Sequence, residues 1–259
     1  MRSIMRYFTK QKFEWLLADK GLYVSAAEDQ NDEAEGVSDH TFLSAQIATR
    51  VKDVNSDLLV ELDELMLSLQ DVGRMKNFLS CWYLGTEETD DMWEEYGKEG
   101  VVFFSHDWAL MSAFPDPLKH ALTSYPIIYD DKLKGSALNE PLRVKHRRWH
   151  LENEFRIVFD LSRYSVLTGF EGIDVRCGDH LTHQSPHITV CMSKKGIDQA
   201  HNVIRRKGRG LVLDCALGNA ISEVRVHPMA TDGELADVQT RLKGYGIHCK
   251  VGHSQLRQT

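Results

Sequence analysis

Short runs of apolar and aromatic residues, each about as long as a β-strand, recur along the chain. β-branched and aromatic residues favour the pleated surface of a sheet. The runs are unevenly spaced, which argues against a regular alternation of strands and helices. The pattern predicts strands at residues 5–9, 22–25, 77–84, 100–105, 125–130, 155–160, 188–192, 220–226 and 246–251.

Fewer segments repeat their apolar residues at the spacing of an α-helix. The clearest covers residues 53–71, and another covers residues 11–20 and ends at Gly21, a residue type that commonly follows a helix. The predicted helices are 11–20, 41–50, 53–71, 90–97, 106–114, 198–204 and 232–243. Because no repeat or Pro/Gly-rich linker divides the chain, these elements predict a single α+β domain over residues 1–259.

Two carboxylates stand two residues apart just before the apolar run 155–159. On a strand, alternate residues point to one face, so Glu152 and Glu154 are expected to project together, with Arg147, Arg148, His150 and Arg156 nearby. Like charges side by side repel each other. The pair therefore indicates either a catalytic Glu-x-Glu or a rim of solvated charges on an edge strand.

The composition is that of an ordinary globular protein, with 42% hydrophobic and 27% charged residues. No apolar stretch approaches the ~20 residues that cross a bilayer, and charges interrupt residues 1–20 where a signal peptide would be apolar. We therefore expect a cytoplasmic protein that does not enter membranes. The five cysteines form no Cys-x-x-Cys, which favours reduced thiols over a disulfide framework.

Charge is distributed unevenly along the chain. Residues 1–100 carry 10 Lys and Arg against 21 Asp and Glu, whereas residues 101–259 carry 21 against 17. The two basic clusters are Arg143, Lys145, Arg147 and Arg148, and Arg205, Arg206, Lys207 and Arg209. The two halves can hold each other, the clusters can meet phosphates of a dinucleotide or nucleic acid, or they can form a solvated face.

A loop late in the chain carries residue types that bind zinc. They are Cys177, His180, His183, His187 and Cys191. Their spacing matches no defined zinc module, and five ligands exceed one tetrahedral site. A His-rich surface loop is the alternative to a metal site.

Five segments resemble, in order and spacing, a large bacterial family known as domain of unknown function 2971. They are residues 5–8, 29–35, 79–82, 92–103 and 145–156, where the last contains Trp149, Glu152, Glu154 and Arg156. The likeness covers about residues 5–160 and is weaker over residues 161–259. Glu33 stands where members of the family usually carry proline.

The order of an arginine, a serine and a Glu-x-Glu on successive strands is also similar to that of mono-ADP-ribosyltransferases. This resemblance implies an α+β fold whose mixed or antiparallel sheets form a central cleft for NAD. It implies Glu154 as the catalytic glutamate, with Glu152 orienting or deprotonating the acceptor. The residues that it implies for binding NAD are Arg6, Tyr7, Ser80, Trp93 and Tyr96.

These residue types fit the chemistry of such an enzyme. Cleaving the nicotinamide–ribose bond passes through an oxocarbenium-like cation, which a nearby carboxylate stabilises. A guanidinium can clamp the phosphates of a dinucleotide, and aromatic rings can stack on its bases. The chain has no Gly-x-Gly-x-x-Gly, which disfavours a site for hydride transfer.

The sequence leaves three functions open. The first is an ADP-ribosyltransferase that modifies a protein or nucleic acid, as a bacterial toxin with a neutralising antitoxin or as a phage-defence effector. The second is a nuclease that holds Mg²⁺ through Glu152, Glu154 and an acidic residue of the 28–35 loop. The third is a non-catalytic interaction module, in which the carboxylates form ion pairs with Arg147, Arg148 and Arg156.

Overall fold

The computed structural model describes residues 1–30, 71–131, 141–168 and 201–257, together with positions 36, 60, 61, 64, 68 and 170. These residues form a mixed β-sheet with several helices, which confirms the predicted α+β fold class. Within these ranges, no helix has both the length and the apolar composition needed to cross a membrane.

Twelve strands and seven α-helices have both of their bounds defined, and residues 71–76 are helical as well. The strands are β1 Ser3–Phe8, β2 Leu22–Ala26, β3 Asn77–Leu84, β4 Val101–His106, β5 Leu122–Pro126, β6 Ile128–Tyr129, β7 Val144–Lys145, β8 Glu154–Asp160, β9 Ile204–Lys207, β10 Gly210–Leu213, β11 Ile221–Val226 and β12 Lys250–His253. The helices are α1 Lys10–Asp19, α2 Asp90–Tyr96, α3 Asp107–Ser112, α4 Asp116–Lys119, α5 Leu161–Thr168, α6 Leu217–Ala220 and α7 Asp232–Gly244. Three 3-10 helices span Ala27–Asp29, Pro141–Arg143 and Arg147–Glu152.

Ten of the strands belong to one sheet, in the order β12-β11-β4-β1-β3-β2-β10-β9, and β8 also pairs with β3 and β5. Neighbouring strands are antiparallel except β11 and β12, which are parallel. A separate parallel pair joins β6 to β7. The sheet is therefore mixed, as the sequence predicts.

Strand β3 is where the sheet divides. One of its edges pairs with β8 along the whole strand. The other edge is shared, because β2 pairs with Phe78 and Leu79 whereas β1 pairs with Tyr83 and Leu84. Strands β1 and β2 therefore leave β3 at different ends, and residues 80–82 lie between the two branches.

Helix α1 packs its apolar face on the sheet. Phe13, Leu16 and Leu17 recur at helical spacing and are all buried. The helix ends at Asp19, and Lys20 takes the left-handed conformation with φ 51°. Gly21 is needed for a different reason, since a Cβ there would lie 2.6 Å from the carbonyl oxygen of Leu213 in β10.

Several predicted elements differ from the structure or lie outside it. The predicted strand 125–130 is divided into β5 and β6, and the final strand lies at β12 instead of residues 246–251. Residues 201–203 form a turn and Ile204 begins β9, so the predicted helix 198–204 is wrong over its described part. Residues 41–50 and 188–192 lie outside the described residues; positions 60, 61, 64, 68 and 71 of the predicted helix 53–71 are helical.

Ion pairs join the acidic first part of the chain to the basic second part. Lys207 Nζ lies 2.6 Å from Asp19 Oδ2, and Arg209 Nη2 lies 2.8 Å from Asp29 Oδ1. These pairs favour the first of the three alternatives for the second basic cluster, in which the two halves hold each other. Because these pairs are partly exposed, each contributes at most about 1 kcal/mol.

A further ion pair between the two parts of the chain joins Glu88 to Arg225. It is buried, since the Glu88 side chain has no exposed surface. Glu88 accepts hydrogen bonds from Arg225 over 2.6 Å, Trp93 over 2.9 Å and Ser254 over 2.5 Å. Removing one partner of a buried pair leaves a charge without compensation and is strongly destabilising. Glu88 therefore ties α2, β11 and the segment after β12 together.

We expect Gly100→Ala to destabilise the fold by about 1–3 kcal/mol, as forced overpacking does. A Cβ at position 100 would lie 1.9 Å from the carbonyl oxygen of Phe8, where β1 ends. The free energy of unfolding in urea measures the effect. Gly252→Ala is the matched control because its Cβ would meet nothing within 4 Å; equal unfolding midpoints for the two variants would contradict the close approach.

Candidate active site

A cavity of about 780 Å³ opens beside β3, where β1 and β2 separate. Small-molecule sites commonly have this size. Of the seven predicted site residues, five line it: Arg6, Tyr7, Tyr96, Glu152 and Glu154. Strand pairing explains part of this convergence, since β1 brings Arg6 and β8 places Glu154 opposite Tyr83.

Glu154 is the most strongly held carboxylate of the cavity. Arg156 donates Nε to Oε1 over 2.8 Å and Nη2 to Oε2 over 3.0 Å, and the thiol of Cys81 also donates to this carboxylate. Burial alone would raise the pKa of Glu154, but the charges of Arg156 and Lys145 outweigh it and lower the pKa to about 2. Glu154 is therefore an ionised carboxylate at neutral pH, and it is unsuited to donate a proton.

The prediction that Glu152 and Glu154 share one face of a strand is wrong. Strand β8 begins at Glu154, and Glu152 ends the 3-10 helix Arg147–Glu152. Asn153 between them has φ 35°, in the left-handed region that asparagine enters more easily than most residues. Leu84 N donates to Asn153 O over 2.7 Å, which fastens this turn to the end of β3.

Lys145 brings the two carboxylates together despite this turn. Its Nζ donates to Glu152 Oε2 over 2.5 Å and to Glu154 Oε2 over 3.4 Å. The same ammonium lies 5.0 Å from the ring centre of Trp149, which also lines the cavity. The sequence reasoning placed Lys145 only in a basic cluster, because its position depends on the long-range pairing of β6 with β7.

Arg6 also lines the cavity, and a hydroxyl holds its side chain. Its Nη1 donates to Ser80 Oγ over 2.6 Å, and Trp82 Nε1 donates to the same oxygen over 3.0 Å. The guanidinium lies 5.0 Å from the ring centre of Phe8 and 5.9 Å from that of Trp82. Within the described ranges, no carboxylate is within ion-pair distance of Arg6.

Two residues predicted to bind NAD lie behind the cavity wall. Ser80 has no exposed surface and acts by positioning Arg6. Trp93 is 2% exposed and donates its indole N–H to Glu88, so it belongs to the core and not to the candidate site. The sequence prediction failed for Trp93 because helical spacing with Met92 and Tyr96 is the same for a core position as for a position that lines a cavity.

The two predicted tyrosines border the cavity in different ways. Tyr96 donates its hydroxyl to Glu152 Oε1 over 2.6 Å and so helps to orient that carboxylate. Burial and the hydrogen bond to Glu152 raise the pKa of Tyr96. Tyr7 is 6% exposed, and its hydroxyl accepts from the backbone N–H of Thr89, which fixes the start of α2.

Cations already pair with several of the carboxylates that the structure describes at the cavity. In the part of the chain that the structure describes, no group of three or more His, Cys, Asp and Glu side chains is arranged to hold one. Lys145 and Arg156 already occupy the carboxylates of Glu152 and Glu154, and Asp29 pairs with Arg209. These ion pairs disfavour Mg²⁺ binding by Glu152, Glu154 and Asp29. The other acidic residues of the 28–35 loop after Gln30, and the segment from Cys177 to Cys191, lie outside the described residues.

The predicted arginine network around the Glu-x-Glu is only partly present. Arg156 binds Glu154 as expected, but Arg147 Nε approaches Asp131 instead, at 3.9 Å. Arg148 lies 5.2 Å from the ring centre of Trp149. Lys145 and Arg156, in place of the two other arginines, hold the carboxylates.

A scan of the chain against models of known protein families gave no match, and searches of the curated proteins and of the solved structures gave none either. The two resemblances noted from the sequence therefore stay predictions. The functional proposal is based on the geometry of the cavity.

We expect acid to destabilise the wild type more steeply than Glu154→Gln. The folded pKa is about 2 against an ordinary 4.5, so below pH 4.5 the unfolded chain binds a proton that the folded chain does not. The stabilisation, about 3 kcal/mol, is complete above pH 4.5 and is lost as the pH falls towards 2. Urea unfolding between about pH 6 and about pH 3 measures it; parallel profiles for the two proteins would contradict the ionised, paired state.

Proposed function

We propose that the chain is a mono-ADP-ribosyltransferase that uses NAD as substrate and modifies a macromolecule. The observation that carries the proposal is that carboxylates and a guanidinium line the same cavity. Glu152 and Glu154 line it, and so does Arg6, which has no carboxylate partner among the described residues. NAD has the matching polarity, since cleavage leaves a cation at the ribose while the pyrophosphate carries negative charge.

The carboxylate end suits the bond that would break. Arg156 is 1% exposed and lies behind Glu154, so Glu152, Glu154 and the single cation Lys145 face the cavity. Lys145 and Arg156 balance these charges and hold the carboxylate oxygens in place, so the oxygens could stabilise an oxocarbenium-like transition state at short range. Because Glu154 stays ionised, it would stabilise that cation and accept a hydrogen bond from a ribose hydroxyl.

The proposed transfer has a simple balance of bonds and protons. The bond between ribose C1′ and the nicotinamide nitrogen breaks, and its electron pair leaves with neutral nicotinamide. A nucleophile of the acceptor bonds to C1′, and its proton passes to the Glu152 carboxylate, which lies more exposed than Glu154. Tyr96 and Lys145 would hold Glu152 in place for this step.

The acceptor in this proposal is a protein or a nucleic acid. The basic cluster at residues 205–209 is less available than its sequence suggests, because Arg205, Lys207 and Arg209 are each paired with an acidic side chain. A role as a toxin with an antitoxin, or as a phage-defence effector, is part of the proposal and follows from the sequence resemblance alone.

Glu154→Gln is expected to lower release of nicotinamide from NAD by a factor of 100 or more, as about 3 kcal/mol of lost transition-state stabilisation would. Purified wild type and variant are incubated with labelled NAD and cell lysate, and label is followed into protein, RNA and DNA. Label in one of these fractions with the wild type only would identify the class of acceptor.

Glu223→Gln is a matched control for that variant. Arg225 donates Nε to Glu223 Oε1 over 2.7 Å, the same arrangement of a strand glutamate and an arginine two residues later as in Glu154 and Arg156. Glu223 does not line the cavity, so its variant should keep full turnover. No turnover by the wild type, or equal turnover by all three proteins with folded structure retained, would reject the transferase and leave a structural role for the carboxylates.

A further inference from the structure

Helix α1 borders the cavity with one face. Lys12, Trp15, Leu16 and Asp19 all line it, and their spacing of three and four residues places them on one side of the helix. Trp15 is 48% exposed although it is a large aromatic side chain. This face presents a cation and a planar ring to the cavity that the proposed catalytic step does not use.

Lys12 and Arg6 form a pair of cations in the cavity wall. Neither has an ion-pair partner in the segments that the structure describes, whereas Lys145 and Lys207, which also line the cavity, both pair with carboxylates. Partial burial lowers the pKa of Lys12, and the charge of Arg6 lowers it further. Two neighbouring cations that repel each other favour an anion carrying more than one negative charge, such as a diphosphate.

Trp15 follows Lys12 by one helical turn and is partly open to solvent. Lys207 Nζ lies 5.6 Å from its ring centre and is held there by Asp19 over 2.6 Å. An aromatic ring kept in place beside a cation is a surface on which a nucleobase can stack.

We propose that Lys12 and Trp15 of α1, together with Arg6, form a subsite for the nucleoside diphosphate part of the ligand. The phosphates bind Arg6 and Lys12, and the base stacks on Trp15. The inference rests on the proposed function, because NAD contains a nucleoside diphosphate. The nicotinamide and its ribose would then lie against Glu152 and Glu154. The inference adds that a nucleoside diphosphate binds without nicotinamide.

Isothermal titration calorimetry of the full chain with ADP, adenosine and inorganic pyrophosphate distinguishes base stacking on Trp15 from phosphate binding by Lys12. Trp15→Ala is expected to weaken ADP and adenosine about tenfold and to leave pyrophosphate unchanged. Lys12→Gln is expected to weaken ADP and pyrophosphate about tenfold and to leave adenosine unchanged. Raising the salt concentration should weaken pyrophosphate more than adenosine, because only the former binds through charge.

Two variants outside the cavity control for general effects. Trp108→Ala removes a tryptophan on α3 that is 57% exposed, and Lys243→Gln removes an exposed lysine on α7. Both should bind all three probes as the wild type does.

The subsite is rejected if wild type does not bind ADP, if neither Trp15→Ala nor Lys12→Gln weakens it, or if the controls weaken it equally. This outcome is distinguishable from failure of the transferase, since the titrations contain no nicotinamide and require no turnover. Binding of ADP with the expected pattern but no turnover of NAD would keep the subsite and reject the transferase. Turnover of NAD with unchanged ADP affinity in both variants would reject the subsite and keep the transferase.

Discussion

The division of the sheet at β3 is the constraint on which the candidate site depends. Strands β1 and β2 both pair with the same edge of β3, but with different ends of it, so they must diverge. Strand β8 occupies the opposite edge along its whole length and keeps β3 in place. Side chains that would be covered in a continuous sheet therefore border a cavity. Arg6 follows Met5, the last residue of β1 that pairs with β3, and Glu154 begins β8 opposite Tyr83, so strand pairing at the fork brings both residues to the cavity.

The pairing of charged side chains in the cavity wall reflects the free-energy cost of removing ions from water. A buried charge needs a partner or several hydrogen bonds, and Glu154 has both in Arg156, Lys145 and Cys81. Arg6 differs because a hydroxyl and two aromatic rings are its only contacts established within the described residues. Among the described residues, cations therefore pair with the carboxylate of Glu154, whereas no carboxylate pairs with Arg6. That asymmetry, more than any single residue, favours a ligand with an anionic part and a part that becomes cationic during reaction.

Local sequence patterns identify most of the strands but only part of the site. Strand β3 is predicted with its observed bounds because its aromatic run is long and ends clearly, while β9 and β10 are missed because each has four residues around a turn at Gly208. The face shared by Glu152 and Glu154 is wrongly predicted since one left-handed residue, Asn153, breaks the strand period. Lys145 and Lys12 carry no local signal of function. Their roles appear only when strand pairing and helix packing bring distant segments to one cavity.

Hydrogen–deuterium exchange with and without NAD tests most directly whether this cavity is the ligand site. The account predicts slower exchange in α1, β1 and residues 145–154 when NAD is bound, because these segments border the cavity. A smaller pocket of about 330 Å³ is bordered by residues 16 and 17 of α1, by residue 20 after it, and by residues 215–219 and 244–247. The last two segments do not border the cavity, so they provide an internal comparison and should not change. Protection confined to those two segments, or no protection in α1, β1 and residues 145–154 at saturating NAD, would contradict the account.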